Sequence, residues 1–206
     1  MSKTALLFIN GTPPKNLPKT EGYDVIACTD GAFHYLKEKN FPLKKLDFIS
    51  GDFDSHTGKD EEIYHEKFIF TPDQDFTDFQ KALDILKSKS IKKIDVYGGS
   101  GGEQDHFLGN LHVAFLFKNE LEITFYDEFS IYFFIPNDFE IENVKGKMIS
   151  LLPFPKVENL TTDGLNWELQ QAELSLTKRI GTRNFATKNT VKISFEMGDL
   201  LVFIGQ

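Results

Sequence analysis

The sequence predicts an α/β protein, a mostly parallel sheet flanked by helices, followed by a small all-β sandwich. Over residues 1–118 short apolar runs alternate with helical patterns, the order that builds a parallel sheet with helices on both faces. From about residue 121 the helical patterns stop, and strand-like runs follow one another with only turn residues between them. That pattern sets a boundary near residue 142, with an α/β part at 1–142 and a β part at 143–206.

Each element has its own signal. TALLFIN, residues 4–10, reads as a buried strand closed by an Asn-Gly turn. YDVIACTD is a second strand running to Asp30, where Gly31 opens a short amphipathic helix, AFHYLKEK. KLDFISGD runs to Asp52 and KFIFTPD to Asp73. In the helix after it, Phe79, Ala82, Leu83 and Leu86 recur at i, i+3, i+4 and i+7, and Thr77 with Gln80 suits a capping box. KIDVYGG is a fifth strand entering a glycine cluster, and a helix runs from about Asp105 to Lys118. LEITFYDE, SIYFFIPND, KMISLLPF, AELSLT, TVKISFEM and DLLVFIG supply the strand-like runs that follow.

Composition narrows the function. The chain has 206 residues, enough for one sizeable domain or two small ones. Phenylalanine is heavily used, 21 residues, but its runs AFLF and IYFFI are short and bounded by charge, and a membrane span needs roughly 20 consecutive apolar residues. The N-terminus offers too few apolar residues for a secretory signal, so a cytoplasmic protein is expected. Cys28 is the single cysteine, inside an apolar run, which excludes an internal disulfide framework and a cysteine-based zinc site. A net charge of −8 disfavours nucleic acid as a partner. Arginine occurs only at positions 179 and 183, so phosphate handling would rest on a metal ion and backbone amides.

The carboxylates carry the chemistry. If the chain stays extended through SGDFDS, Asp52 and Asp54 project to one side, roughly 6.6 Å apart, while Phe53 turns to the core. Asp30 and Asp73 close two further strands, and Asp105 follows the glycine segment. Parallel strands share one C-terminal edge, where open α/β folds bind ligands, so these acids are expected to meet in one crevice. Such crowding costs several kcal/mol unless cations relieve it, and hard oxygen donors suit Mg²⁺. The alternative is that these aspartates serve as turn and cap residues. A calcium loop starting at Asp52 fails, because His56, Thr57 and Ile63 occupy positions that need Asp or Asn, Gly and Glu.

YGGSGGEQDH, residues 97–106, places Gly98, Gly99, Gly101 and Gly102 between a strand and a helix, which allows close backbone approach to an anion. Gln104 breaks the dinucleotide fingerprint, and the P-loop Gly-Lys is missing. Gly98, Ser100 and Gly102 fit the hydrolase elbow, but the only later histidines, His106 and His112, lie in the very next helix. The alternative to an anion cradle is a plain tight turn.

Taken together, TDGAFHYL, SGDFDS, PDQDFTDFQKAL and GGSGGEQDH, in that order and followed by GLNWEL and GTRNF, resemble the thiamine pyrophosphokinase family over nearly the whole chain. The resemblance implies transfer of the pyrophosphoryl unit of ATP to thiamine, an α/β domain joined to a β-sandwich, and a homodimer. It implies that Asp52, Asp54, Asp73, Asp78 and Asp105 bind Mg²⁺ or metal-bound phosphates, and that Asp30, Gly31, Gln74, Thr77, Gly99, Gly101 and Gly102 surround the nucleotide. Gln74, Trp167, Thr182 and Asn184 would contact thiamine. Two positions depart from the family pattern: Glu103 stands where an arginine is common, and Arg183 where a small serine is common. A pyrophosphokinase for another hydroxymethyl heterocycle such as a pterin, or a non-catalytic nucleotide or thiamine diphosphate sensor, are the competing readings. For Trp167 the residues alone leave a second possibility, a tryptophan of the sandwich core.

Overall fold

The computed structural model describes residues 2–53 and 64–206. The chain divides into two compact units, Met1–Glu128 and Phe129–Gln206.

The described residues of the first unit form a sheet of six strands, β1 (Lys3–Phe8), β2 (Val25–Thr29), β3 (Phe48–Gly51), β4 (Phe68–Phe70), β5 (Ile91–Tyr97) and β6 (Glu122–Tyr126). Its order is β4-β3-β2-β1-β5-β6, and every neighbouring pair is parallel. Ala5 to Phe8 are consecutively buried, as expected of a strand covered on both faces. Among the described residues the helices are α1 (Asp30–Glu38), α2 (Asp78–Ser88) and α3 (Gln104–Phe117). On α2 the stripe of Phe79, Ala82, Leu83 and Leu86 is buried, and the Thr77 hydroxyl caps the helix by accepting from the Gln80 amide at 3.2 Å. Truncating the fully buried Leu83 to Ala would cost about 2–5 kcal/mol. Leu6, Phe8, Ile26, Cys28 and Ile49 form one core with Phe33 and Leu36 of α1. Cys28 is inert there, its thiol pushed well up by burial and then by the charge of Asp30. No helix among the described residues is long and apolar enough to cross a membrane.

This topology positions the loops. Because all six strands run the same way, the segments after β1, β2, β3, β4 and β5 emerge at one edge. From β1 the chain builds outward through β2, β3 and β4, then crosses to the other side of β1 for β5. The resulting switch point lies between β1 and β5, the kind of crevice where open α/β sheets take ligands.

The second unit is antiparallel: β7 (Ser130–Ile135), β8 (Asp138–Glu142), β9 (Met148–Asp163), β10 (Ala172–Ser175), β11 (Gly181–Phe185), β12 (Thr190–Ser194) and β13 (Met197–Gly205). The 16-residue β9 organises it. It pairs with β13, β10 and β11, and its last residues, Thr161 to Asp163, pair with β12, which carries β8. Ile149, Leu151, Val157, Leu160, Val191 and Val202 pack between these strands. By contacts the division falls after Glu128, ahead of the sequence boundary near 142, because β7 pairs along its whole length with β13.

Candidate functional site

Asp30 is the first residue of α1 and is 6% exposed. Its carboxylate accepts from the amides of Gly31, at 2.7 Å, and Phe53, at 3.2 Å, so it ties the end of β2 to the end of β3. Gly51 makes this crossing possible. A Cβ there would lie 2.2 Å from the Asp30 carboxyl carbon. Burial, then the charge of Asp78 and, more weakly, of Asp52, raise the Asp30 pKa, and the two amides oppose them.

Asp52 accepts from the Gln74 amide nitrogen at 3.0 Å, which links β3 to the loop after β4. Within that loop Asp73 accepts from the Asp75 amide at 2.9 Å, and Asp78 pairs with Lys81 at 2.7 Å. The extended geometry expected for SGDFDS does not hold. β3 ends at Gly51 and Phe53 has φ +58°, so the backbone turns before Asp54, a residue that lies outside the described residues. Phe53 does turn inward, its ring 4.5 Å from that of Phe68 in a T-shaped contact.

The glycine segment is locked to the loop after β1. Gly11 donates to the Gly98 carbonyl at 2.8 Å and Thr12 to that of Ser100 at 2.9 Å, while Asn110 of α3 donates to that of Gly99 at 3.0 Å. Gly98 has φ +79°, and a Cβ on it would lie 2.1 Å from the Ile9 carbonyl oxygen, so no larger residue fits this turn. Carbonyls 98 to 100 are thereby spent on protein donors. Among the described residues no acceptor meets the amides of Ser100, Gly101 and Gly102. The Ser100 hydroxyl donates to Asp127 at 3.0 Å, which leaves it bonded to a carboxylate and not to a histidine base.

Asp30, Asp52, Asp78 and Gln74 therefore come together, with Gly31 on Asp30 itself, Asp73 on the Gln74 loop and Thr77 capping α2. Asp105 follows the glycine segment, on α3. It is exposed in the first turn of α3, accepts from the His106 amide at 3.0 Å, and has no described contact with the other acids. Among the described residues no three His, Cys, Asp or Glu groups form a ready metal cage. The donors fit Mg²⁺ in its usual mode, in which one or two carboxylates share the ion with substrate phosphates.

Two features of this edge escape the sequence patterns. The buried hydroxyls of Thr29, Ser50 and Thr71, at the ends of β2, β3 and β4, have no hydrogen-bond partner among the described residues. A buried unpaired hydroxyl costs about 1–3 kcal/mol and marks a place for water or ligand. The other is Lys81, a helix residue that the apolar stripe does not single out. The Asn-Gly-Thr sequence after β1 was the one available hint of the loop that grips the glycine segment.

In the second unit Trp167 is 59% exposed, which removes the core alternative. Its ring meets Phe185 edge to face at 5.6 Å. Asn184 is buried and holds the Trp167 backbone from both sides, accepting from its amide at 3.1 Å and donating to its carbonyl at 2.8 Å. Thr182 is exposed on β11, beside Arg183, which has φ +56° at a bulge and donates its amide to the Ser150 hydroxyl at 2.9 Å.

A parallel α/β unit with carboxylates and a glycine turn at one edge, followed by an antiparallel β unit, defines the class of protein. Residues 19–125 match the family model for the thiamin pyrophosphokinase catalytic domain, and residues 136–200 match that for its vitamin B1 binding domain. The chain belongs to the thiamin pyrophosphokinase family. It is 29% identical over 208 residues to thiamine pyrophosphokinase of Bacillus subtilis, covering 95% of each chain. It is 31% identical to thiamine pyrophosphokinase 1 of Oryza sativa, over 73% of this chain and 62% of that one. The crystal structure of the Bacillus subtilis enzyme superposes with a TM-score of 0.82 at 24% identity over 99% of both chains. Yeast thiamin pyrophosphokinase gives 0.84 at 18% identity over 99% of this chain and 86% of that one.

Proposed function

We propose that this chain transfers the pyrophosphoryl unit of ATP to the hydroxyethyl oxygen of thiamine, giving thiamine diphosphate and AMP, with Mg²⁺ as cofactor and a homodimer as the working form. The observation that carries this reading is the meeting of Asp30, Asp52, Asp78 and Gln74 at the C-terminal edge of a parallel sheet. Crowded carboxylates repel one another, and a bound cation relieves the cost. Asp52, Asp73 and Asp78 would hold the ion, with Asp54 and Asp105 as members assigned from the sequence. When bound, the ion neutralises charge on the transferring phosphates.

The chain's own groups do the rest. The amides of Ser100, Gly101 and Gly102, with the N-terminus of α3, face the phosphates. Gln74 and Thr77 orient them from the loop before α2. The thiamine oxygen attacks the β-phosphorus, the bond from that phosphorus to the α,β-bridging oxygen breaks, AMP leaves, and the hydroxyl proton passes to a carboxylate, Asp78 or Asp105. Trp167, exposed and braced by Phe185, offers a ring face for the cationic thiazolium, worth roughly 0.5–2 kcal/mol. Thr182 and Asn184 would contact thiamine beside it. The match of residues 136–200 to the vitamin B1 binding model favours thiamine over a pterin alcohol.

The test is incubation of the purified protein with ATP, Mg²⁺ and thiamine, with chromatographic separation of nucleotides. AMP and thiamine diphosphate are expected in equal amounts. AMP formed with a pterin alcohol but not with thiamine overturns the substrate, and tight ATP binding without turnover on either alcohol overturns the catalytic reading.

A further inference from the structure

We propose that Lys81 is a positioning residue for this edge: a largely covered cation that fixes the loop between β4 and α2 without touching substrate. The inference rests on the reading of the preceding subsection for the edge's role.

The Lys81 side chain is 10% exposed. Its Nζ donates to the carbonyls of Thr71, at 2.8 Å, and Asp73, at 3.1 Å, and pairs with the Asp78 carboxylate at 2.7 Å. An ammonium group has three donors, and here each has an acceptor, so none remains for a phosphate. A sequence reader would take a lysine beside a phosphate site for an anion ligand. The geometry assigns it the opposite task, holding protein oxygens.

Its location runs against local preference. Lys81 is the fourth residue of α2, in the first turn, where the helix dipole disfavours a cation. Local conflicts of this kind concentrate where function demands them. The three oxygens that Lys81 gathers bracket Thr71 to Asp78, the segment that carries Asp73 and Gln74. Through Gln74 that segment reaches Asp52. Lys81 therefore sets the spacing between the carboxylates of two strand ends. It also places a positive charge against Asp78, one of the acids of this edge.

Lys81→Met keeps the aliphatic stem and removes the three donors. The variant should keep its circular dichroism spectrum and lose on the order of 10- to 100-fold in kcat, the scale on which small misplacements act. The Mg²⁺ concentration for half-maximal rate should rise. By hydrogen-exchange mass spectrometry the amides of residues 73–78 should exchange faster, and the gain in Tm on adding Mg²⁺ and ATP should shrink. Lys81→Arg restores the charge, but a planar fork does not converge on three acceptors around one nitrogen, so it should stay closer to Lys81→Met than to the wild type. If Lys81→Met does not fold, Lys81→Gln takes its place with the same readouts. The proposal is overturned by kcat and Mg²⁺ dependence that match the wild type, by full rescue with Lys81→Arg, or by a raised KM for ATP with exchange in 73–78 unchanged, which marks direct phosphate contact. If the wild type makes no AMP from ATP and thiamine, the functional reading fails, while the exchange and thermal measurements still decide the role of Lys81.

Discussion

The two units bring their candidate residues together by different physics. In the first, strand direction does the work: Asp30, Asp52 and Asp73 follow β2, β3 and β4, whose neighbours are all parallel, so the three emerge at one edge whatever the loops between them contain. In the second, antiparallel neighbours send successive strand ends to opposite edges, and no such rule applies. Trp167 and Asn184 are joined by local contacts: the Asn184 side chain grips the Trp167 backbone, Asn166 donates to the Phe185 carbonyl, and the Trp167 ring meets Phe185. The first arrangement takes its common edge from strand direction and depends on charge. The second depends on local hydrogen bonds and ring contacts.

The largest expected effect tests the first half of that contrast. Asp52→Asn keeps the size of the side chain and an oxygen for Gln74 to donate to, and removes only the charge. Turnover, as kcat/KM for ATP in the AMP assay, should fall by about 10²- to 10³-fold, the range seen when an electrostatic stabiliser of a transition state is lost. Thermal stability should not fall, since one source of repulsion on the buried Asp30 is gone. Asp105→Asn sharpens the point. Asp105 has no described contact with the other acids, and its loss should cost clearly less than that of Asp52. Equal activities of Asp52→Asn and the wild type would show that shared strand direction has gathered turn residues and nothing more.

What the sequence made legible follows the same division. Continuous burial of β1 and the period of α2 could be read because they are local patterns, and the shared edge could be read because topology follows from the alternation of strands and helices. The turn at Phe53 could not: a non-glycine residue at positive φ has no dependable one-residue signal, and its cost is met by the Phe53–Phe68 contact and the Asp30 bond. Nor could the saturation of Lys81, since it depends on where two carbonyls point. Trp167 was ambiguous because an aromatic in a β-rich region reads equally as core or as surface until its neighbours are known.

A smaller effect separates direct contact from support in the second unit. Trp167→Ala should raise KM for thiamine about 2- to 30-fold, corresponding to the loss of roughly 0.5–2 kcal/mol of cation–π energy, with KM for ATP and Tm nearly unchanged because the ring is exposed. Asn184→Ala should raise KM for thiamine by a comparable or smaller factor and also lower stability by about 1–3 kcal/mol, since the Trp167 amide and carbonyl and the Phe185 amide lose their partner. Calorimetry and thiamine kinetics on both variants check this. Loss of stability in Trp167→Ala without loss of thiamine affinity would make the tryptophan a packing residue.

The smallest effect is a pH dependence confined to the first unit. Asp30 has a folded-state pKa above its unfolded value, chiefly through burial and then through Asp78. Protonation therefore favours the folded state: the contribution of Asp30 is fully present below the unfolded value of roughly 4 and is lost as pH rises through the raised folded value. Asp30→Asn carries no charge at any pH, so the Tm of that variant minus that of the wild type should grow more positive from acid towards neutral pH, on top of a constant offset from the altered bonds to the Gly31 and Phe53 amides. Mg²⁺ with ATP, by supplying opposite charge near the carboxylates, should flatten the wild-type slope. A difference that stays constant from pH 4 to 7 would mean that the acids at the shared edge do not sense one another, and the contrast between the two units would lose its electrostatic half.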